Sequence, residues 1–146
     1  MSLKIIHTAD WHLGQTFFGY DRDEEHEAFL SWLIDILTLR QTDVLLIAGD
    51  VFDVANPSAA AQRRFFRFLR EANRHNPQLQ IVIIAGNHDS AARLEAPIPL
   101  LEELNTSIVG VVPRTDLCKI DFDSLLIPLY NKEGKREAIC LAVPYL

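Results

Sequence analysis

Three short apolar runs, each ending on chemically active side chains at a similar interval, constrain this chain more than any other feature. Lys4–Thr8 leads into Asp10-Trp11-His12, "DVLLIAGD" (43–50) ends on Gly49-Asp50, and "QIVIIAGNHD" (80–89) ends on Asn87-His88-Asp89. Each run has the length and the β-forming residues of a strand. The polar ends follow one another about forty residues apart, the span of one strand, one helix and their loops.

The segments between the runs read as helices. Asp23, Glu24 and Glu25 crowd a first turn, where carboxylates suit the positive end of the helix dipole. Phe29, Leu33, Ile36 and Leu37 then recur at helical spacing, so a helix is expected from Asp21 to about Gln41. Ser58 can cap a second helix that runs to His75 and stops at Asn76-Pro77. A shorter helix is expected over Pro97–Leu104, and Gly14–Tyr20 reads as a loop holding Phe17 and Phe18. Strands alternating with helices predict an α/β fold, βαβαβ with a parallel sheet. Near-continuous apolar strands imply that helices cover both sheet faces. After residue 106, "SIVGVV", "LCKI", "SLLIPL" and "EAICLAV" predict short strands and hairpins.

Composition bounds the function. With 146 residues, 49% of them hydrophobic, the chain suits one globular domain. A net charge of −6 argues against gripping nucleic acid by bulk electrostatics. It leaves a nuclease open, because divalent cations would invert the local charge where carboxylates gather. No apolar run is long enough to span a membrane, and no secretory leader is visible. Cys118 and Cys140 fit free thiols in a reducing cytoplasm better than a disulfide framework or thiolate metal site.

In an open α/β sheet, ligands bind beyond the carboxyl ends of the strands. Adjacent strands would gather Asp10 and His12, Asp50 and Asp53, and Asn87, His88 and Asp89 at that edge. Gly49 and Gly86 stand where backbone must turn sharply or pass close to a neighbour. Hard oxygen donors with a few imidazoles suit Mn²⁺, Fe²⁺ or Zn²⁺. A carboxylate shared at Asp50 would hold two ions about 3.5–4 Å apart, the spacing used in phosphoryl hydrolysis. Taken singly, these residues are ordinary turn and cap formers; the three clusters together point to a metal centre.

"DWH", "GDVFD" and "GNHD" resemble, in order and spacing, the first three motifs of calcineurin-like metallophosphoesterases. Within that superfamily "HTADWHLGQ", "AGDVFD" and "AGNHDS" are similar to the SbcD-type exonucleases, over about residues 3–105. Protein phosphatases of the superfamily carry Arg-Gly after the second motif and Glu at the end of the third; here Val54-Ala55 and Asp89 stand instead.

The resemblance implies a two-sheet α/β sandwich and two divalent metal ions, Mn²⁺ foremost, with Fe²⁺, Zn²⁺ or Mg²⁺ as alternatives. It assigns Asp10 and His12 to one ion, Asp50 to the bridge and Asn87 to the other ion. His88 becomes the unligated general acid, oriented by Asp53. It further implies DNA as substrate, cut as an exonuclease on duplex ends and an endonuclease on single strands or hairpins, in repair and recombination. An SbcC-like SMC-type ATPase would be the partner, and the helices around 58–75 and 97–104 would form a homodimer. The family completes its metal shells with later histidines, and here none follows His88. The chain therefore reads as the N-terminal part of a longer nuclease domain, expected alone to hold at most one ion and to cleave little. The same chemistry would serve a small phosphodiester or phosphomonoester, and a non-catalytic fragment that only folds and dimerises is the reading from another class.

Phe17 and Phe18 are candidate DNA contacts, or else pack over the first helix. Arg63, Arg67, Arg70 and Arg74 form one helical stripe, expected to be a solvated face with acidic neighbours. His7 is expected to pack beside the site, with His26 and His75 at the surface.

Overall fold

The computed structural model describes residues 2–101, 104–115 and 119–146. Strand β1 (Ile5–Thr8) is followed by a small hairpin, β2 (Thr16–Phe17) and β3 (Tyr20–Asp21), and then by helix α1 (Asp23–Leu39). Next come β4 (Val44–Ala48), α2 (Ala59–His75) and β5 (Gln80–Ile84), then two short helices, α3 (Ala91–Glu95) and α4 (Ile98–Leu101), before β6 (Thr106–Val109). A 3₁₀ turn at Asp123–Leu125 leads into β7 (Leu126–Tyr130) and β8 (Arg136–Leu141). The central sheet is parallel in the order β1-β4-β5-β6, while β7 and β8 form a separate antiparallel ribbon.

The expected βαβαβ core is present, but helices do not cover both faces. Leu45, Ile47, Ile81 and Ile83 face a core built with Leu33 and Leu37 of α1 and Phe65, Phe68 and Leu69 of α2. Val44 and Val82 point the other way, against Leu125, Ile127, Leu129 and Ala142. The second layer is therefore the β7–β8 ribbon. The reason is topological: strand order advances in one direction, and right-handed crossovers then place successive helices on the same face. Both faces are buried all the same, which is why the strands read as unbroken apolar runs.

Ser58 caps α2 as expected, its Oγ accepting from Ala61 N at 3.1 Å. The helix expected over Pro97–Leu104 is instead two pieces. Pro97 has no N–H with which to continue the α3 ladder, so α3 ends and α4 restarts at Ile98. Residues 102–103 of that expected helix, and Leu117 and Cys118 of the "LCKI" run, lie outside the described residues. The Gly14–Tyr20 loop contains the β2–β3 hairpin. Phe18 (φ 49°) and Gly19 (φ 83°) both take positive φ at its turn, the requirement of a tight type I′ connection.

Helices α1 and α2 are joined by a buried cation that the sequence pattern does not reveal. Arg64 is 8% exposed; its Nη1 lies 2.8 Å from Asp23 Oδ1, off the ideal hydrogen-bond line, and its Nε donates to Glu27 Oε1 at 2.8 Å. Arg67 reaches the same Glu27, and Arg70 and Arg74 meet Glu71, so the arginine stripe does have acidic neighbours. Two of the expected histidine positions are overturned. His26, on α1 beside Arg22, Arg64 and the loop after β1, is 6% exposed, whereas His7 is exposed because β1 is an edge strand.

Partial burial raises the Glu27 carboxyl, but hydrogen bonds and charge from Arg64 and Arg67 outweigh it and hold Glu27 below its ordinary value. A depressed carboxylate contributes stability above its unfolded-state pKa and loses it as pH falls through the folded one. Glu27→Gln should therefore lower stability at pH 7 by less than about 1 kcal/mol, because Glu27 is half exposed. Thermal melts from pH 7 down to pH 3 should show the difference from wild type shrinking toward acid; a difference that grows would refute the assignment.

Candidate metal centre

Beyond the strand ends, the loops after β1 and β4 run side by side. Asp10 N donates to Gly49 O (3.1 Å), His12 N to Asp50 O (2.9 Å) and Leu13 N to Val51 O (2.9 Å). Trp11 anchors the first loop. It is 5% exposed, packs edge-on to Phe29, Phe65 and Phe68, and donates its Nε1–H to Thr8 Oγ1 at 2.9 Å. With Trp11 fixed in the core, Asp10 and His12 on either side are turned outward. Both adopt left-handed backbone, φ 56° and 47°, and Asp50 does likewise at 49°. Such conformations strain non-glycine residues and cluster at functional sites.

The second and third loops meet through glycine. A Cβ on Gly49 would sit 3.0 Å from Gly86 Cα, and a Cβ on Gly86 would fall 2.1 Å from Asp50 Oδ1 and 2.4 Å from Asp50 N. Asp50 thus occupies the space that any side chain at position 86 would take. Its Oδ1 accepts from His88 N at 3.0 Å. Asp89 fastens the same loops together, its carboxylate accepting from Gly86 N (2.9 Å), Val51 N (3.2 Å) and Phe52 N (2.9 Å).

Asp10, His12 and Asp50 each offer a ligand atom, all within 4.8 Å of one another. His12 Nε2 lies 4.0 Å from Asp10 Oδ1 and 3.9 Å from Asp50 Oδ2. These separations are too long for hydrogen bonds, yet they suit donors about 2.0–2.2 Å from a shared cation. On its other side His12 Nδ1 is 3.2 Å from Asp53 Oδ1, off line, so that buried nitrogen has no hydrogen bond. A donor set of two carboxylates and an imidazole fits a divalent ion.

Asp53 is placed between two histidines. Its carboxylate faces His12 and accepts from Gln15 Nε2 at 3.2 Å, while its main-chain carbonyl lies 2.7 Å from His88 Nδ1. The contact to His88 thus runs through the backbone rather than the carboxylate. That hydrogen bond raises the His88 pKa; exposure leaves little desolvation to oppose it, and Asp50, Asp53 and Asp89 add to the rise. Asn87 stands at the same sheet edge, exposed, and lines a cavity of about 400 Å³ with Gly86, Gly110, Val112 and Tyr145. A cavity of about 370 Å³ opens on the other flank, between Asp10 and His12 and the α1 side, where Arg22, Glu25, His26 and Phe29 line it. A larger one, about 490 Å³, sits among amides and hydroxyls near Gln80, Asn105 and Thr106; it holds none of the candidate ligands.

Phe17 and Phe18 are 64% and 86% exposed and touch each other edge-on at 4.6 Å, so they do not pack beneath α1. Two positioning roles escape a reading of the sequence. Gln15 joins Asp53 to Arg22, whose Nη1 donates to Gln15 Oε1 at 2.8 Å. Asp89 shares the sheet edge with the candidate ligands but is a clamp on backbone N–H groups. The signal for the clamp is its place three residues after Gly86, the spacing of a side chain folding back on its own loop. Asp89→Ala should cost about 2–4 kcal/mol, since three hydrogen bonds to one charged acceptor vanish. Asp89→Asn, which keeps one oxygen, should fall between; urea unfolding would measure both, and an unchanged midpoint for Asp89→Ala would exclude the clamp.

Comparison with known proteins agrees with this geometry. Residues 3–137 match the family model described as calcineurin-like phosphoesterase. The chain is 49% identical to the SbcD subunit of nuclease SbcCD from Rhodobacter capsulatus over 144 residues, 99% of this chain and 35% of that protein. The SbcD proteins of Escherichia coli K12 and Bacillus subtilis are 38% and 39% identical, over 82% and 84% of this chain and 33% and 31% of their own lengths. The chain thus spans about a third of the relatives it matches. The strand-end motifs, their convergence at one sheet edge and the family match over almost the whole chain lead to one conclusion: this chain belongs to the calcineurin-like phosphoesterase family.

Proposed function

We propose that the chain is the N-terminal part of a divalent-metal-dependent nuclease domain that hydrolyses DNA phosphodiesters. The observation that carries this reading is the convergence of Asp10, His12 and Asp50 within 4.8 Å, with His88 tethered beside them. Relatives named as the SbcD part of nuclease SbcCD support DNA as substrate. By the same likeness the cleavage is exonucleolytic on duplex ends and endonucleolytic on single strands or hairpins, as in repair and recombination. The partner is an SMC-type ATPase like SbcC. A homodimer through α2 and the 97–104 segment, and a cytoplasmic location, belong to the same proposal; among the described residues no helix is long and apolar enough to cross a membrane.

Asp10 and His12 would hold one ion, Asp50 would contribute to both and Asn87 to the second; Mn²⁺ is the favoured metal for this oxygen-rich set. When bound, the ions supply positive charge at the phosphoryl oxygens and acidify the attacking water. His88, on an exposed ring whose pKa is raised by its hydrogen bond to the Asp53 carbonyl, serves as the general acid for the leaving oxygen. The Asp53 carbonyl fixes the ring through Nδ1, leaving Nε2 toward substrate. Phe17 and Phe18, presented on the β2–β3 hairpin, offer stacking surfaces to unpaired bases.

The roles separate in calorimetry. Asp50→Ala should weaken Mn²⁺ binding by about tenfold or more, because removing even an outer partner of a ligand has that effect. His88→Ala should leave Mn²⁺ binding unchanged and remove most cleavage of DNA in the longer nuclease. Equal loss of metal in both variants would reverse the assignment. The 146-residue chain alone should take up at most one Mn²⁺, weakly. Comparing Mn²⁺-dependent cleavage of labelled duplex DNA with nitrophenyl phosphate esters distinguishes a nuclease from an esterase of small substrates. Two tight Mn²⁺ sites on the isolated chain, or preference for the small esters, would contradict the proposal.

A further inference from the structure

His12 belongs to two donor groups. One is the Asp10–His12–Asp50 set; the other is His12, Asp53 and His88, whose ligand atoms also lie within 4.8 Å of one another. The two rings stand edge to face with centroids 5.0 Å apart. Asp53 Oδ1 is 3.2 Å from His12 Nδ1, and that nitrogen is buried without a hydrogen bond. His88 Nδ1 is engaged by the Asp53 carbonyl at 2.7 Å, which frees Nε2 as its ligand atom.

The two sets differ in chemistry. Asp10, Asp50 and one imidazole are mainly hard oxygen donors, suited to Mn²⁺ or Mg²⁺. Two imidazoles with one carboxylate are suited to Zn²⁺, which accepts three protein ligands and a water in a tetrahedral shell. We infer that His12, Asp53 and His88 form a second cation site, selective for Zn²⁺, that excludes the Asp10–His12–Asp50 site because a neutral imidazole has one free lone pair and cannot ligate through Nδ1 and Nε2 at once. The inference rests on the metal reading of the first set and adds regulation to it. Zinc at the second site withdraws His12 from the Mn²⁺ set and takes His88 from the leaving oxygen, so it acts as an inhibitor that competes with the activating ion. The choice between the ions follows from which nitrogen of the shared imidazole carries the proton, since Nε2 faces Asp10 and Asp50 and Nδ1 faces Asp53.

Calorimetric titration of the chain with Mn²⁺ alone, Zn²⁺ alone and Zn²⁺ after Mn²⁺ tests this. Wild type should bind either ion and show competition between them. His88→Ala should weaken Zn²⁺ by about tenfold or more and leave Mn²⁺ unchanged; Asp10→Ala should do the reverse. His12→Ala should weaken both. Zn²⁺ affinity indifferent to His88→Ala, or simultaneous binding of the two ions, would overturn the second site. Mn²⁺ affinity indifferent to Asp10→Ala would instead overturn the first site, and with it the competition on which the regulatory role depends.

Discussion

Asp50 can sit where it does only because position 86 has no side chain. The β4 and β5 strand ends approach so closely that Gly49 and Gly86 nearly touch, and the Asp50 carboxylate fills the volume a Cβ at 86 would occupy. From that seat Asp50 reaches toward His12 on one side and accepts from His88 N on the other. Everything proposed for the centre depends on this contact, because through it one carboxylate meets residues of both neighbouring strand-end loops.

The arrangement is held under strain. Asp10, His12 and Asp50 all have left-handed backbone, and each costs on the order of 1–3 kcal/mol unless its surroundings fix it. Two devices offset that cost. Trp11, locked among Phe29, Phe65 and Phe68, anchors the first loop in the α1–α2 core. Asp89 binds three backbone N–H groups and clamps the second loop to the third. The candidate ligands are thus held by residues outside the candidate donor set, and support of this kind is what a preorganised site requires.

The parallel core and the convergence of Asp10, His12 and Asp50 are legible in the sequence, because strand length, apolar continuity and the interval between polar ends are local patterns. The ribbon covering the second face is not, since "SLLIPL" and "EAICLAV" reveal strands but not what they pack upon. Burial of His26 and Arg64 is equally hidden: each lies on a helix whose rotation depends on the sheet beneath it. The split role of Asp53 is subtler. Its position suggests a partner for His88, but a sequence cannot say whether side chain or carbonyl makes the contact, and here the carboxylate goes to His12. The break at Pro97 defeats the expected single helix because proline is tolerated at a helix start, and α3, which ends just before it, has no strong signal of its own.

The most direct test is the Mn²⁺ affinity of Gly86→Ala beside that of wild type, with circular dichroism confirming that the sheet still forms. A methyl group at 86 must displace Asp50 while leaving every candidate ligand in the chain. The account predicts a folded protein whose Mn²⁺ binding is weakened by about tenfold or more, comparable to loss of a ligand's supporting partner. A folded Gly86→Ala variant that binds Mn²⁺ as wild type does would contradict it, and would mean that Asp50 is not seated by the glycine contact.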